Sequence, residues 1–159
     1  MTIDALDADL IAALREQPRV GLLEISRQLG VARGTVQARL SKLEGRGVVI
    51  GYGPEVDPGA MGYAISAFVF IELNQGRLAE AVELLEAVHE VLEADAISGP
   101  QDLVCRLAAR DTEHLQDIVN RLLANPAIQR CTSHIVLSRQ VPPRTAPLVG
   151  ASVSRAARG

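Results

Sequence analysis

Leu6, Leu10 and Leu14 recur at i, i+4 and i+8, with Ile11 and Ala13 widening the stripe, which is the spacing of one buried helix face. Asp4 stands before the stripe and Asp7 three residues on, a variant of the capping box that opens a helix. Pro18 closes it, because the residue before a proline resists helical geometry. A second, short helix is predicted over 22–29, with Leu22, Ile25 and Leu29 inward and Gly30 where a C-terminal glycine belongs. After a gap of two or three residues, a third helix over 33–46 turns Val36, Leu40 and Leu43 to the core, and Gly47 ends it. A short helix, a tight glycine turn and a second amphipathic helix make the helix-turn-helix pattern.

The pattern then changes. Val48-Val49-Ile50 reads as a short strand, and Gly51, Gly53, Pro54, Pro58, Gly59 and Gly62 as a linker. Beyond it, strand and helix alternate: strand 64–73, helix 78–88, strands 91–98 and 103–109, a helix from 111 or 112 to 124, and strand 128–139. This order, βαββαβ, predicts a ferredoxin-like plait with both helices on one face of a four-stranded antiparallel sheet. Ile65, Ala67, Val69, Ile71 and Leu73 share one face of the first strand, yet Phe68 and Phe70 occupy the other. A strand with one wet face alternates apolar and polar residues. The open face is therefore expected to be covered by a second copy of the chain. From Pro142 onward the periodicity disappears, and the tail is expected to lack regular structure. The chain thus divides into a DNA-binding domain over 1–50, a linker over 51–62, a sheet domain over 63–142 and a tail over 143–159.

Charge sharpens this division. The net charge of −3 conceals a balance of +4 over 19–46, from Arg19, Arg27, Arg33, Arg39, Lys42 and Arg46 against Glu24 and Glu44. Residues 54–142 carry six Arg against thirteen Asp or Glu, a balance of −7. Such an asymmetry directs a polyanion to one end of the molecule. The cores must be aliphatic, since there is no Trp and only two Phe and two Tyr. No apolar run approaches the roughly 20 residues of a membrane span, and Met1-Thr2-Ile3-Asp4 lacks the basic start of a signal peptide. A cytoplasmic protein is expected, with no membrane partner. Cys105 and Cys131 are too few and too far apart for a disulfide framework or a zinc site, and read as small apolar residues on strands.

On the third helix, a rotation of 100° per residue opposes Gly34, Ala38, Ser41 and Gly45 to the core stripe, with Thr35, Gln37 and Lys42 on the shoulders. Small residues at the centre let a helix backbone sink toward a groove floor. Gln37 is suited to an adenine edge, and Ala38 or the Thr35 methyl to a thymine methyl. Arg33, Lys42 and Arg46 are better placed for phosphates, which orient a protein without reading sequence. An isolated helix with these residues would be an ordinary solvated surface; the preceding helix and turn make DNA readout the better reading. Arg39 lies about 60° from the core stripe and has two open roles, a DNA contact or a pair with an acid inside the domain.

With these residues in view, the chain resembles the Lrp/AsnC, or feast/famine, regulators. The opening Ile3-Asp4-x-x-Asp7-x-x-Leu10-Ile11-x-x-Leu14 is similar to that family's start. Arg19 precedes the second helix, and Thr35-Val36-x-x-Arg39-Leu40-x-x-Leu43-Glu44-x-x-Gly47-Val48-Val49-x-Gly51-Tyr52 resembles its recognition helix and exit. Val56-Asp57-Pro58 and Gly62 continue the likeness into the linker, so that it spans residues 3–142. The resemblance implies an α+β chain: a winged-helix-like or plain helix-turn-helix domain, then a ferredoxin-like RAM domain that binds a small effector, often an amino acid. It also implies homodimers that assemble further, to tetramers or octamers. The effector site it implies surrounds a Gly-x-x-Asp turn, here Gly99-Pro100-Gln101-Asp102 flanked by Ser98 and Leu103. Asp102 would accept bonds from an α-ammonium group; without the resemblance the segment is only a turn. Three positions depart from the family: Ala32 replaces a capping Ser, Gln101 a frequent aromatic residue, and Cys131 a commoner Thr.

Catalysis is the rival class for such a plait. His89, His114 and His134 are dispersed, and no nucleophile–base motif, phosphate loop or paired metal-ligand pattern accompanies them. Glu86-x-x-His89 has metal-ligand spacing for a helix, but one such pair on an acidic helix reads as solvated. The expectation is a non-enzymatic regulator with no cofactor or metal. Two alternatives share its fold: an architectural DNA-compacting protein, and a regulator whose ligand pocket is silent.

Overall fold

The computed structural model describes residues 3–156. They form two compact units, residues 3–54 together with 141–156, and residues 55–140. The expectations for residues 1, 2 and 157–159 lie outside the described residues.

The first unit is built on α1 (Ala5–Glu16), α2 (Leu22–Gln28) and α3 (Arg33–Gly45). Its core is the aliphatic cluster the spacing predicts: Leu10 from α1, Ile25 from α2, and Val36, Leu40 and Leu43 from α3. The capping box is present, since the Asp7 N–H donates to Asp4 Oδ1 at 2.9 Å and the Asp4 N–H to Asp7 Oδ2 at 3.3 Å. Gly30 supplies the turn between α2 and α3 at φ +65°, where an L side chain is strained.

The Arg39 guanidinium spans α1 and α3. Its Nη1 donates to Asp4 Oδ2 at 2.6 Å and to Asp7 Oδ1 at 2.7 Å. Of the two open roles for Arg39, the pairing within the domain is the one formed. Asp7 is only 3% exposed and needs this partner for its charge.

Two expectations for this unit are corrected. Among the described residues Val48-Val49-Ile50 forms no strand: none lies beside it in the unit, and the Val48 and Val49 amides both go to the Leu43 carbonyl. The Val48 N–H closes the end of α3 on the Leu43 carbonyl at 2.9 Å, and Ile50 stands 93% exposed. The tail does not lack regular structure. Residues Ala146–Ala156 form a helix, α6, packed against α1 within the same unit. Pro147 sits in its first turn, where the missing N–H is not needed. The Thr145 carbonyl accepts from the Leu148 and Val149 N–H groups, while its hydroxyl accepts from Arg15 Nη1 at 2.9 Å.

The second unit contains β1 (Ile65–Leu73), α4 (Leu78–Ala87), β2 (Val91–Ala96), β3 (Leu103–Ala109), α5 (Thr112–Leu123) and β4 (Ile128–Ile135), preceded by one 3-10 turn at Gly59–Met61. The sheet is antiparallel in the order β2-β3-β1-β4, the plait expected from βαββαβ. Ala67, Val69 and Ile71 of β1, Cys105 and Leu107 of β3, Ala81 and Leu85 of α4, and Leu115, Ile118 and Leu122 of α5 meet in one core. Burial pushes the Cys105 thiol up to about 12 and that of Cys131 up to about 11, so both behave as neutral packing groups. α4 ends at Ala87, so Glu86 and His89 do not share a helix. Among the described residues no helix is long and apolar enough to cross a membrane.

The Asp4–Asp7–Arg39 tie makes the first unit acid-sensitive. The Asp4 carboxyl is held below its ordinary value of 3.8, first by the Arg39 hydrogen bond and then by the Asp7 N–H. A depressed folded value stabilises above the unfolded value and is lost as pH falls through the folded one. Arg39→Ala, which strips a nearly buried carboxylate of its donor, is expected to cost about 1–3 kcal/mol near neutrality. The gap between variant and wild type should narrow below about pH 4. Urea unfolding at pH 7, 5 and 3 checks this; a gap independent of pH would remove the ion pair as its cause.

Candidate nucleic-acid interface and effector turn

Burial of Val36, Leu40 and Leu43 fixes the rotation of α3 and thereby what it presents outward. Arg33, Gly34, Thr35, Gln37, Ala38, Ser41, Lys42 and Arg46 are all exposed, on one continuous flank of the helix and at its two ends. Gln37 Nε2 lies 3.4 Å from Ser41 Oγ, one turn along. The helix begins without a side-chain cap: Ala32 offers only its carbonyl, to the Thr35 and Val36 N–H groups at 2.9 and 3.2 Å. Uncapped ends of this kind cost about 1 kcal/mol relative to a Ser cap.

One partner at the far end of α3 was not legible in the spacing. The Tyr52 hydroxyl donates to Glu44 Oε1 at 2.7 Å. Partial burial first, and then that carboxylate, push the phenol up to about 12. It stays protonated and holds the chain leaving α3 against the helix. An acid and a tyrosine eight residues apart carry no recognised motif, so only the fold reveals the pair.

The candidate effector residues are gathered at one turn between β2 and β3. Gly99 adopts φ +135°, a conformation that favours glycine, and a Cβ added there meets no atom within 4 Å. Ser98, Gly99, Pro100 and Asp102 are exposed and Gln101 is half-buried. Leu103 departs from the group. It is 2% exposed and belongs to the core, because the strand it begins turns that side chain toward the helices; its place among the effector-contacting side chains is corrected.

Asp102 has a job within the chain. Its Oδ2 accepts the Leu73 N–H at 2.7 Å, and its own N–H donates to the Ile71 carbonyl at 2.9 Å. The turn is thereby pinned to the last residues of β1, leaving Oδ1 for any further donor.

On the sheet face opposite the helices, Phe68 is 41% exposed and lies between Arg106 and His134 in register, while Phe70 lies between Val104 and Thr132. The Phe70 and His134 rings meet edge to face at 5.4 Å. Glu72 and Arg130 pair across the strands, and Glu93 is beside Arg106. An aromatic centre with a charged margin is the composition of a protein interface.

On the helix side, Glu90 is a second charged centre that sequence spacing did not expose. Glu90 Oε1 lies 3.1 Å from His114 Nε2, and Arg121 Nη2 lies 3.1 Å from Oε2. His114 Nδ1 accepts the Arg110 N–H at 3.2 Å, which leaves Nε2 to carry the proton toward Glu90. Burial raises the Glu90 carboxyl, but its backbone, Arg121 and His114 outweigh that and hold it below its ordinary value. The three residues tie both the first and the last turn of α5 to the approach to β2. Glu90 and His114 are 24 positions apart, so their pairing could not be read from sequence.

Residues 3–44 match the AsnC-type helix-turn-helix domain, and residues 66–146 the Lrp/AsnC ligand binding domain. The transcriptional regulator LrpA of Mycobacterium tuberculosis is 31% identical over 137 residues, covering 86% of this chain and 91% of that protein. The structure of AsnC from Escherichia coli superposes with a TM-score of 0.84 at 28% identity, covering 92% of this chain and all of that one. A feast or famine regulatory protein from M. tuberculosis, complexed with L-methionine, superposes at 0.79 and 30% identity over 90% of this chain and 97% of that one. With the helix-turn-helix and the ligand domain in that order, and with this plait, the chain belongs to the Lrp/AsnC family of transcriptional regulators.

Proposed function

We propose that this protein is a cytoplasmic, non-enzymatic regulator that binds double-stranded DNA by sequence through α3 and responds to an amino acid at the Ser98–Asp102 turn. The exposed flank of α3 is the observation that carries the reading. Its small residues permit close approach, Gln37 and Thr35 offer groups for base edges, and Arg33, Lys42 and Arg46 offer charge for phosphates. Two chains pair through the open sheet face around Phe68 and Phe70, and the dimers assemble to tetramers or octamers. A dimer then presents two α3 helices to half-sites about 10 base pairs apart or a multiple of that.

For the effector, the L-methionine complex of the M. tuberculosis relative supports an amino-acid class. The α-carboxylate meets exposed backbone at Gly99, and the α-ammonium meets Asp102 Oδ1. Binding alters how dimers associate, and with it the spacing of their DNA-binding units, which requires the ligand to favour one assembly over another.

Footprinting on DNA upstream of the protein's own gene tests the regulatory reading: discrete, helically phased protection is expected, whereas continuous coating would make the protein an architectural one. Gln37→Ala is expected to relax preference at one base position by about 1–3 kcal/mol. Lys42→Ala should weaken binding to all sequences alike and flatten the salt dependence. Equal losses on operator and random DNA for Gln37→Ala would reassign Gln37 to the phosphates.

At the turn, Asp102→Asn keeps an acceptor for the Leu73 N–H but removes the charge. Its melting temperature should stay near that of the wild type, while any change of mass by light scattering on adding an amino acid should disappear. A retained response would move the ammonium site elsewhere.

Phe68→Asp places a charge at the centre of the open sheet face and is expected to yield monomers in sedimentation velocity. A variant that remains dimeric would place the dimer contact on another surface.

A further inference from the structure

β2 is an edge strand: among the described residues it pairs with β3 and with no other strand. The Ile97 N–H turns inward to the Asp102 carbonyl at 3.0 Å. By the two-residue period of a strand, the Ala96 and Ala94 peptide groups turn the other way, to the free edge. Both alanines face the helix side of the sheet, since their register partners, Leu103 and Cys105, belong to the core. Two such small residues leave room beside α4. The result is a groove of about 400 Å³, walled on the helix by Leu78, Val82 and Glu86 at i, i+4 and i+8. Leu78 and Val82 are exposed along it. An apolar wall beside a row of unpaired peptide groups suits an extended segment.

The opposite edge of the same sheet ends in a segment of matching pattern. Among the described residues β4 pairs with β1 alone. The Val136 N–H donates to the Ser66 carbonyl at 2.8 Å, so the Ile135 and Leu137 peptide groups turn outward. Ile135 lies in register with the core residue Ala67 and so faces the helix side as well. Continued as a strand, the segment puts Leu137 and Arg139 on that same side. Leu137 is 95% exposed, a large aliphatic side chain almost wholly in water.

We propose that the groove between α4 and β2 receives residues 135–139 of a second copy of this chain, paired by backbone to β2. Laid antiparallel, the segment sets Ile135 by Ala96 and Leu78, and Leu137 by Ala94 and Val82. Only residues 88–90 join α4 to β2, so Glu86 stands at the end of the groove where Arg139 arrives. The charges there are complementary. Reciprocal pairing of two β2 strands is disfavoured: about Ala94 it sets Glu93 opposite Asp95 of the second copy, and like charges directly opposite destabilise a ladder. The contact is head to tail, so it repeats from copy to copy and closes a ring or continues as a chain. It rests on the reading that dimers assemble further and names the surface that joins them. Pairing through Phe68 and Phe70 uses the other face of the sheet.

The test is sedimentation velocity of the full-length protein over a range of concentrations. It compares wild type with Glu86→Arg, Arg139→Glu, the double variant carrying both, and Leu137→Asp. The wild type is expected to exceed a dimer. Each single charge variant sets like charges together and should weaken the association of dimers by about 100-fold or more. The double variant, with the signs exchanged, should recover the larger species. Leu137→Asp should leave dimers at an unchanged melting temperature, because so exposed a side chain supports nothing in its own chain.

Single variants that keep the wild-type mass overturn the proposal. So does a double variant that stays as small as the singles, since Glu86 and Arg139 then do not meet. A wild type no larger than a dimer also overturns it and leaves the groove to a segment of a different protein. Phe68→Asp, run alongside, reports on the sheet-face reading separately: a variant that stays dimeric fails that reading and leaves the charge exchange to decide this one.

Discussion

A four-stranded sheet has two faces, and the second unit supplies only two helices to cover them. α4 and α5 both lie on one side, because each βαβ crossover of a plait returns to that side. Their aliphatic residues exclude water from Val69, Ile71, Cys105 and Leu107. The same arrangement leaves Phe68 partly in solvent at the middle of the other face. The constraint is geometric, and the remaining organisation follows from it. The uncovered face is left with an aromatic centre that no element of the unit covers.

The first unit solves a different problem. Three short helices bury only a few aliphatic side chains, so orientation depends on polar ties as well as on packing. Arg39 binds the start of α1 to the middle of α3, and Tyr52 holds the outgoing chain to the end of α3. Both engage side chains away from the flank that carries Gln37 and Ser41. That flank keeps its side chains exposed, and Gln37 and Ser41 bond there to each other at 3.4 Å.

Most of the fold was legible because its helices and strands are amphipathic. Val36, Leu40 and Leu43 fix the rotation of α3, and with it the exposure of Gln37 and Lys42, from spacing alone. The alternation in β1 likewise separated Val69 from Phe68. Three readings needed the fold. Val48-Val49-Ile50 has strand composition, but a strand needs a neighbour, and the end of α3 uses the Val48 amide instead. The tail looked irregular because α6 is short and contains Pro147 and Gly150, and its stability comes from packing on α1 rather than from intrinsic preference. Leu103 adjoins a functional-looking turn in sequence yet belongs to the core, since one step along a strand reverses the side chain. The candidate site divides the same way: the exposed flank of α3 followed from periodicity, whereas the Glu90–His114–Arg121 cluster depends on contacts distant in sequence.

The bond from the Leu73 amide to Asp102 joins the β2–β3 turn to the place where β1 gives way to the connection before α4. The next residue, Asn74, is itself tied to the α5–β4 connection, its N–H to the Ala127 carbonyl and its amide to the Pro126 carbonyl. A molecule that drew Asp102 toward itself would thus compete with one backbone amide, and the loss would be felt at two further connections. A hydrogen bond to a charged acceptor is worth about 1.5–3 kcal/mol. Coupling free energies between distant sites are commonly about 1–3 kcal/mol. The free energy held in this single acceptor is therefore of the size that links one site of a protein to another.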